Sequence, residues 1–242
     1  VNLGLAATPS RREQSKASRR DAIFEAARDL IRDAGSGASA EHIARRAGVS
    51  TATLYNLVGP RARLLGGLLS HLFAGLSEHV RAFESADPLI YAEQVVTHSV
   101  ALFCDDPPLW RHVIHEASGS YAAHVAPYIE SQPIDLMIGA MRRAKAARQL
   151  VETVDADAAA LQVYASYNGA LFLWAGEGFT DRDFLDQARS GLWTVVAALG
   201  SPNERRRALR ELRSCHDQRL RPARTDAGSV GGSSQAEALA PG

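Results

Sequence analysis

From Ala158 to Gly176 the chain runs for 19 residues without a charge, AAALQVYASYNGALFLWAG, between Asp157 and Glu177. A helix that is apolar on every side must be covered, because each residue left in water forfeits its hydrophobic free energy. The length approaches that of a membrane span. Gln162, Asn168 and the hydroxyls of Tyr164, Ser166 and Tyr167 make it a poor lipid-facing segment, so the run predicts a helix buried inside protein. A second stripe, Phe184, Leu185, Ala188, Leu192, Val195, Val196 and Leu199, follows it at helical spacing. Together these need more cover than one small domain supplies. Two copies of each, packed as a four-helix interface, would provide it, and Ala165 and Gly169, four apart, allow close helix approach.

The rest of the pattern is helical as well. Ile23, Ala26, Ala27, Leu30 and Ile31 mark one face of a helix from about 17 to 34 that Gly35 stops. Leu64, Leu65, Leu68, Leu69, Leu72, Phe73 and Leu76 mark a longer one. No strand alternation and no internal repeat occurs, so the fold class is all-α. With 242 residues, 46% hydrophobic and 22% charged, the chain can bury a core without staples. Cys104 and Cys215 make no disulfide framework, and VNLGLAATPS lacks the basic start and apolar core of a secretion signal. These point to a cytoplasmic location.

The formal net charge of zero is unevenly spread. Residues 1–66 carry 11 Lys/Arg against 6 Asp/Glu, residues 67–202 carry 8 against 16, and residues 203–242 carry 8 against 5. A basic head on an acidic body suits a head that meets a polyanion. The expected division is a flexible basic arm over 1–16, a basic head over 17–66, a helical body over 67–202 and a basic, mostly disordered tail over 203–242, where the thin stripe Leu209, Leu212 and Leu220 allows a poorly anchored helix before Pro222. Arg11, Arg12, Lys16, Arg19 and Arg20 are either a phosphate-binding arm or a solvated tail.

The most informative stretch is SAEHIARRAGVSTATLYNLV, residues 39–58. Ser39 can cap a short helix whose Ile43, Ala44 and Ala47 face inward, and Ser50 can cap a second with Leu54 and Val58 inward. Two short helices joined by a turn containing Gly48 form a helix-turn-helix. Thr51, Ala52 and Thr53 are small enough to approach base edges, and Tyr55 and Asn56 suit phosphates or bases. Arg61 and Arg63, just past Pro60 at a new helix start, are expected on backbone phosphate.

This order, HIARRAGVSTATLYNLVGPRARLL after a helix ending at Gly35, resembles the DNA-binding domain of the TetR (tetracycline-repressor-like) transcriptional regulators over roughly residues 17–69. The family's AGVS…TLY core stands here as AGVSTATLY. Leu57 and Val58 replace the family's usual His and Phe, Arg61 takes the place of its Lys, and Ser39 serves where Ala38 aligns with its capping Thr. The resemblance implies a three-helix head, a helical body that binds an effector and dimerises, and a ligand-responsive regulator, most often a repressor. Its partners would be a double-stranded DNA operator, a second copy and a small hydrophobic effector, with no cofactor or membrane. A homodimer would set two recognition helices in major grooves about 34–36 Å apart.

Effector contacts are expected among the aromatic and polar residues of the body: His98, Phe103, Trp110, Tyr121, His124, Tyr128, Tyr164, Tyr167 and Asn168. The acidic body favours an uncharged or cationic apolar ligand. His112, His115 and Glu116 have metal-ligand spacing but read more simply as surface or cavity groups, and no metal is expected. GSGASA at 35–40 follows a helix, not a strand, which removes a nucleotide fingerprint. No G-x-S-x-G, Walker or HExxH motif points to an enzyme. A helical scaffold without specific DNA binding, or a small all-α enzyme, are the alternatives.

Overall fold

Local capping chemistry sets where the helices begin. In the computed structural model, which describes residues 10–82, 85–118, 122–125, 127 and 133–219, Ser10 and Glu13 form a reciprocal capping box that starts α1 (Arg11–Ala34). Gly35, at φ +54°, ends it, and a 3₁₀ turn, Gly35–Gly37, leads into α2 (Ala40–Arg46). Ser39 accepts from the His42 N–H to cap α2, and Ser50 accepts from the Thr53 N–H to cap α3 (Thr51–Leu57). Gly48, at φ +67°, makes the turn between them, with the Val49 N–H reaching back to the Ala44 carbonyl at 2.9 Å.

Then come α4 (Arg61–Ala82), α5 (Pro88–Cys104), α6 (Pro107–Ala117), α7 (Ala122–Val125), α8 (Pro133–Ala146), α9 (Ala156–Ala175), α10 (Asp181–Leu199) and α11 (Pro202–Arg219). Asp87, Asp106, Asp155 and Thr180 cap α5, α6, α9 and α10, and proline stands at the first position of α5 and α6. Among the described residues the only β-type pairing is one isolated bridge, Leu150 with Gly200. The all-α expectation is correct.

The head is α1–α3 with the start of α4, closed over Ile23, Ala27, Ile31, Ile43, Leu54 and Leu65. The body packs α5, α8, α9 and α10 around an aromatic seam. Phe103 meets Trp110 edge-on at 5.8 Å, Trp174 stacks on Phe184 at 5.5 Å, and Tyr167 lies 5.6 Å from Phe184. The boundary expected between residues 66 and 67 falls inside α4, which passes unbroken from head to body.

One sequence expectation changes. Residues 11–16 are not a flexible arm but the first turns of α1, held by the capping box; residues 1–9 lie outside the described set. The helix allowed by the start of the tail is present as α11, and it is well seated, docked on α10 by buried Ala208 and Cys215. Arg207 reinforces this, 2.7 Å from Asp87 and stacked over Trp193. The basic tail beyond 219 is outside the described residues. As the uncharged run implies, α9 is not covered all round within one chain: Leu161, Phe172 and Leu173 are 54%, 50% and 51% exposed.

The crossing of α1 and α4 depends on Gly67, where a Cβ would come within 2.6 Å of the buried Phe24 ring. Gly67→Ala is expected to destabilise by about 1–2 kcal/mol and lower Tm by roughly 2–6 °C. Gly75→Ala on the same helix, whose Cβ would meet nothing within 4 Å, should hold or raise Tm. Thermal unfolding of the two variants checks the pair.

Candidate nucleic-acid interface

A recognition helix must bury one side and present the other. In α3, Leu54 is buried, while Ala52, Tyr55 and Asn56 are exposed, Tyr55 by 50%. Thr51 and Thr53 are half-buried beside them. The Thr53 hydroxyl lies 2.8 Å from the Ser50 hydroxyl, so both belong to the helix cap first and to any base second. Ser39 is likewise held as the α2 cap, on the far side of the turn from α3. The structure brings Ser50, Thr51, Ala52, Thr53, Tyr55 and Asn56 onto one short helix and its cap.

Arg61 is the correction. Expected on a phosphate, it points inward from the start of α4. Its guanidinium pairs with both carboxylate oxygens of Glu116, through Nε to Oε1 and through Nη2 to Oε2 at 2.7 Å. Nη1 also donates to the Ala38 carbonyl at 2.5 Å and Nη2 to that of Gly35 at 3.4 Å. Three-quarters of both charged side chains are covered. The motif placed a cation at a helix start; nothing nearby in sequence announced a carboxylate 55 residues away.

Other cations take the outward place. Lys16 and Arg20 of α1 and Arg63 of α4 line one broad groove of about 1020 Å³ beside the C-terminal end of α3, together with Asn56, Ser70 and His71. Arg63 is exposed, its aliphatic stem lying against Gly59, at φ +88°, where a Cβ would come within 2.9 Å of it. Residues 11–14 and 16–22 of α1 are exposed, carrying Arg12, Lys16, Arg19 and Arg20 along the face that farther on buries Ile23. Of the two arginines expected on phosphate, Arg63 is thus the outward one, and Lys16 and Arg20, expected only as a possible arm, stand beside it.

Helix α6 braces the head at three points. Arg32 of α1 pairs with Asp106, the α6 cap, at 2.5 Å; the His112 ring packs against Gly35 so closely that a Cβ there would overlap it; and Glu116 takes Arg61. The Arg32 guanidinium holds Asp106 below the usual carboxylate range, against the opposing effect of burial. His112, His115 and Glu116 therefore do not converge: His112 Nδ1 is 2.6 Å from the Pro108 carbonyl and Glu116 is occupied. Among the described residues no cluster of three metal-ligating groups occurs.

The expected effector residues split. Tyr164 and Tyr167 line a small apolar cavity with Val95, Val96, Ser99, Met137 and Val163, and Ser99 and Tyr167 share a hydrogen bond of 2.6 Å. That cavity is about 20 Å³, room for a water and no more. Phe103 and Trp110 are core members of the aromatic seam. His98 sits on α5 with Nδ1 2.8 Å from the Gln94 carbonyl, Asn168 is half-buried on α9, and His124 is exposed on α7. Tyr121 and Tyr128 lie outside the described residues. Burial pushes the Cys104 thiol up to about 12, with Asp181 adding to it, so no thiolate forms near neutral pH.

Two outcomes follow. Arg61→Ala should cost about 2–3 kcal/mol of stability by stranding Glu116, while leaving the salt dependence of duplex binding unchanged; Arg63→Ala should lower that slope by about one. Denaturant unfolding and salt titrations of binding separate them. A carboxylate with a depressed pKa adds stability above its unfolded pKa and loses it as pH falls through the lower folded value. Asp106→Asn should therefore lose about 1 kcal/mol at pH 7 and show a shallower fall below about pH 4 than the parent chain, read by urea unfolding across pH.

No protein-family model and no curated protein matches this sequence. Solved structures do. FadR of Thermus thermophilus, a TetR-family transcriptional repressor solved with lauroyl-CoA, is similar at TM-score 0.64 and 21% identity, over 76% of this chain and 97% of that one. SmeT, the repressor of the Stenotrophomonas maltophilia multidrug efflux pump SmeDEF, is similar at TM-score 0.58 and 20% identity, over 76% and 92%. RolR with resorcinol is similar at TM-score 0.59 and 16% identity, over 86% and 96%. The likeness in each case spans head and body together, and the chain has the fold of the TetR-family transcriptional regulators.

Proposed function

We propose that this chain is a DNA-binding transcriptional regulator, a repressor that acts as a homodimer and leaves its operator when a small effector binds. The observation that carries the reading is the capped α3, with Ala52, Tyr55 and Asn56 outward, standing beside Lys16, Arg20 and Arg63 on one surface of a basic head. Small side chains on a short helix admit close approach to base edges, and flanking cations neutralise phosphates on either side.

The α9 stripe supports the dimer. Leu161, Ala165, Gly169, Phe172 and Leu173 are exposed along one face of that helix, and apolar side chains in a contiguous row are what a second copy covers. Effector binding is supported by lauroyl-CoA in the Thermus protein and resorcinol in RolR, each a ligand of that protein. In this chain the acidic body favours an uncharged or cationic apolar molecule. Entry at Tyr164 and Tyr167 requires α5, α8 and α9 to separate, since their cavity is only about 20 Å³.

The test is a selection of duplexes from random sequence, followed by titration at several salt concentrations. An enriched, two-fold symmetric motif bound at least a thousandfold tighter than random duplex is the expected result; equal affinity for all duplexes would remove the regulator reading in favour of a scaffold. Gly169→Leu tests the dimer, because a Cβ there meets nothing within 4 Å in one chain. The variant should keep the parent's helicity yet sediment as a monomer and lose operator affinity by about a hundredfold or more, as one half-site is lost. A parent chain that sediments as a monomer at micromolar concentration contradicts the interface.

A further inference from the structure

The body's own cavity is water-sized, but a ligand-sized groove lies elsewhere. Between α1, α4, the end of α5 and α6, where head meets body, the surface folds into a groove of about 410 Å³, within the range small-molecule sites occupy. Its floor is apolar: Phe24, Leu68 and Trp110 are buried, and Leu72 and Leu102 half-buried beside them. Its rim is acidic. Asp21 and Glu25 stand one turn apart on α1, and Asp105 stands at the end of α5. Arg28 lines the groove as well, close enough to Asp106 to help lower that carboxylate's pKa, His71 stands beside it, and the Arg20 guanidinium lies over the Phe24 ring, 5.6 Å from its centroid.

We propose that this groove is a binding site for an amphipathic organic cation, an apolar ring system or chain bearing one positive charge. The apolar floor takes the apolar part, with Leu72 and Leu102 as its more open members and Phe24 and Trp110 buried beneath them. The lining carries three carboxylates against one guanidinium and the His71 imidazole, a balance that selects positive charge, and the exposed rim lets the charged group keep part of its hydration. An anion of the same shape meets the same floor but the wrong rim. One wall is formed by Gly75, where no heavy atom lies within 4 Å of a would-be Cβ. A side chain at that position fills the groove without meeting the core.

The site joins helices of both parts of the molecule: α1 comes from the head, and Leu68, Leu72 and Gly75 of α4, with Leu102, Asp105 and Trp110, from the body. A ligand held there touches both at once and biases their relative placement, which is how it would alter DNA affinity. That consequence rests on the regulator reading; the binding itself does not.

Isothermal titration of the full chain with tetraphenylphosphonium, and with its isosteric anion tetraphenylborate, tests the site. The expected result is one cation per chain, bound at least tenfold tighter than the anion. Gly75→Leu should remove cation binding while keeping the parent's circular dichroism and Tm. Asp21→Asn, Glu25→Gln and Asp105→Asn combined should weaken it about tenfold, a threefold or smaller loss for each exposed charge. No binding to the parent chain, equal affinity for cation and anion, or parental affinity in Gly75→Leu overturns the proposal. Duplex binding by the same proteins, measured by fluorescence anisotropy without either ion, judges the regulator reading separately. A chain that binds the cation but no specific duplex keeps the site and loses the regulator.

Discussion

The guanidinium of Arg61 holds the head closed and ties it to the body at the same time. It donates to the Ala38 carbonyl and to that of Gly35, which also accepts the Ala38 N–H, where α1 ends and the chain turns toward α2, and it neutralises Glu116 at the end of α6. No neutral side chain could serve all three acceptors. A lysine would keep the charge but not the planar fork that reaches two carbonyls and a carboxylate together. With Arg32 on Asp106 and His112 against Gly35, the pairing fixes α6 along its whole length. The placement of α3 relative to the body therefore rests on these polar contacts together with the apolar core that head and body share.

What was legible in the sequence is what is decided locally. Ser39, Gly48 and Ser50 specify two helix starts and a turn within a dozen residues, and the structure has them where the motif places them. Arg61 was misassigned because a cation after a proline looks the same whether it faces a phosphate or a carboxylate from a distant helix. The arm was missed for a different reason: Ser10 and Glu13 form a capping box, but the apolar periodicity that marks a helix begins only at Ile23, so the exposed turns carried no hydrophobic signal. In α11 the signal was misleading. Its conspicuous Leu209 is half exposed, whereas the residues that seat it are Ala208 and Cys215. Small residues bury completely while contributing little to a hydrophobic pattern, so a helix packed through them reads as poorly anchored.

The effector region shows the limit more sharply. Aromatic residues at helical spacing mark the right helices, but whether a ring lines a cavity or fills the core depends on how several helices cross. Phe103 and Trp110 fill. Tyr164 and Tyr167 line a space closed to anything larger than water. The uncharged run at 158–176 did announce a need for cover, and the row of exposed apolar residues on α9 is that need left unmet by a single chain.

α4 runs from Arg61 to Ala82 without a break, about 33 Å at 1.5 Å per residue. Gly66, Gly67 and Gly75 interrupt its side chains, but the helix continues through all three. A rod of that length converts angle into displacement. Tilting it by roughly 5° about its body end carries its first turn about 3 Å, close to the 3.4 Å rise of one base pair along a strand. The register of the head on a duplex is thus set by an angle measured some thirty ångströms away, and a change too small to unpack any helix is enough to misplace it by a base.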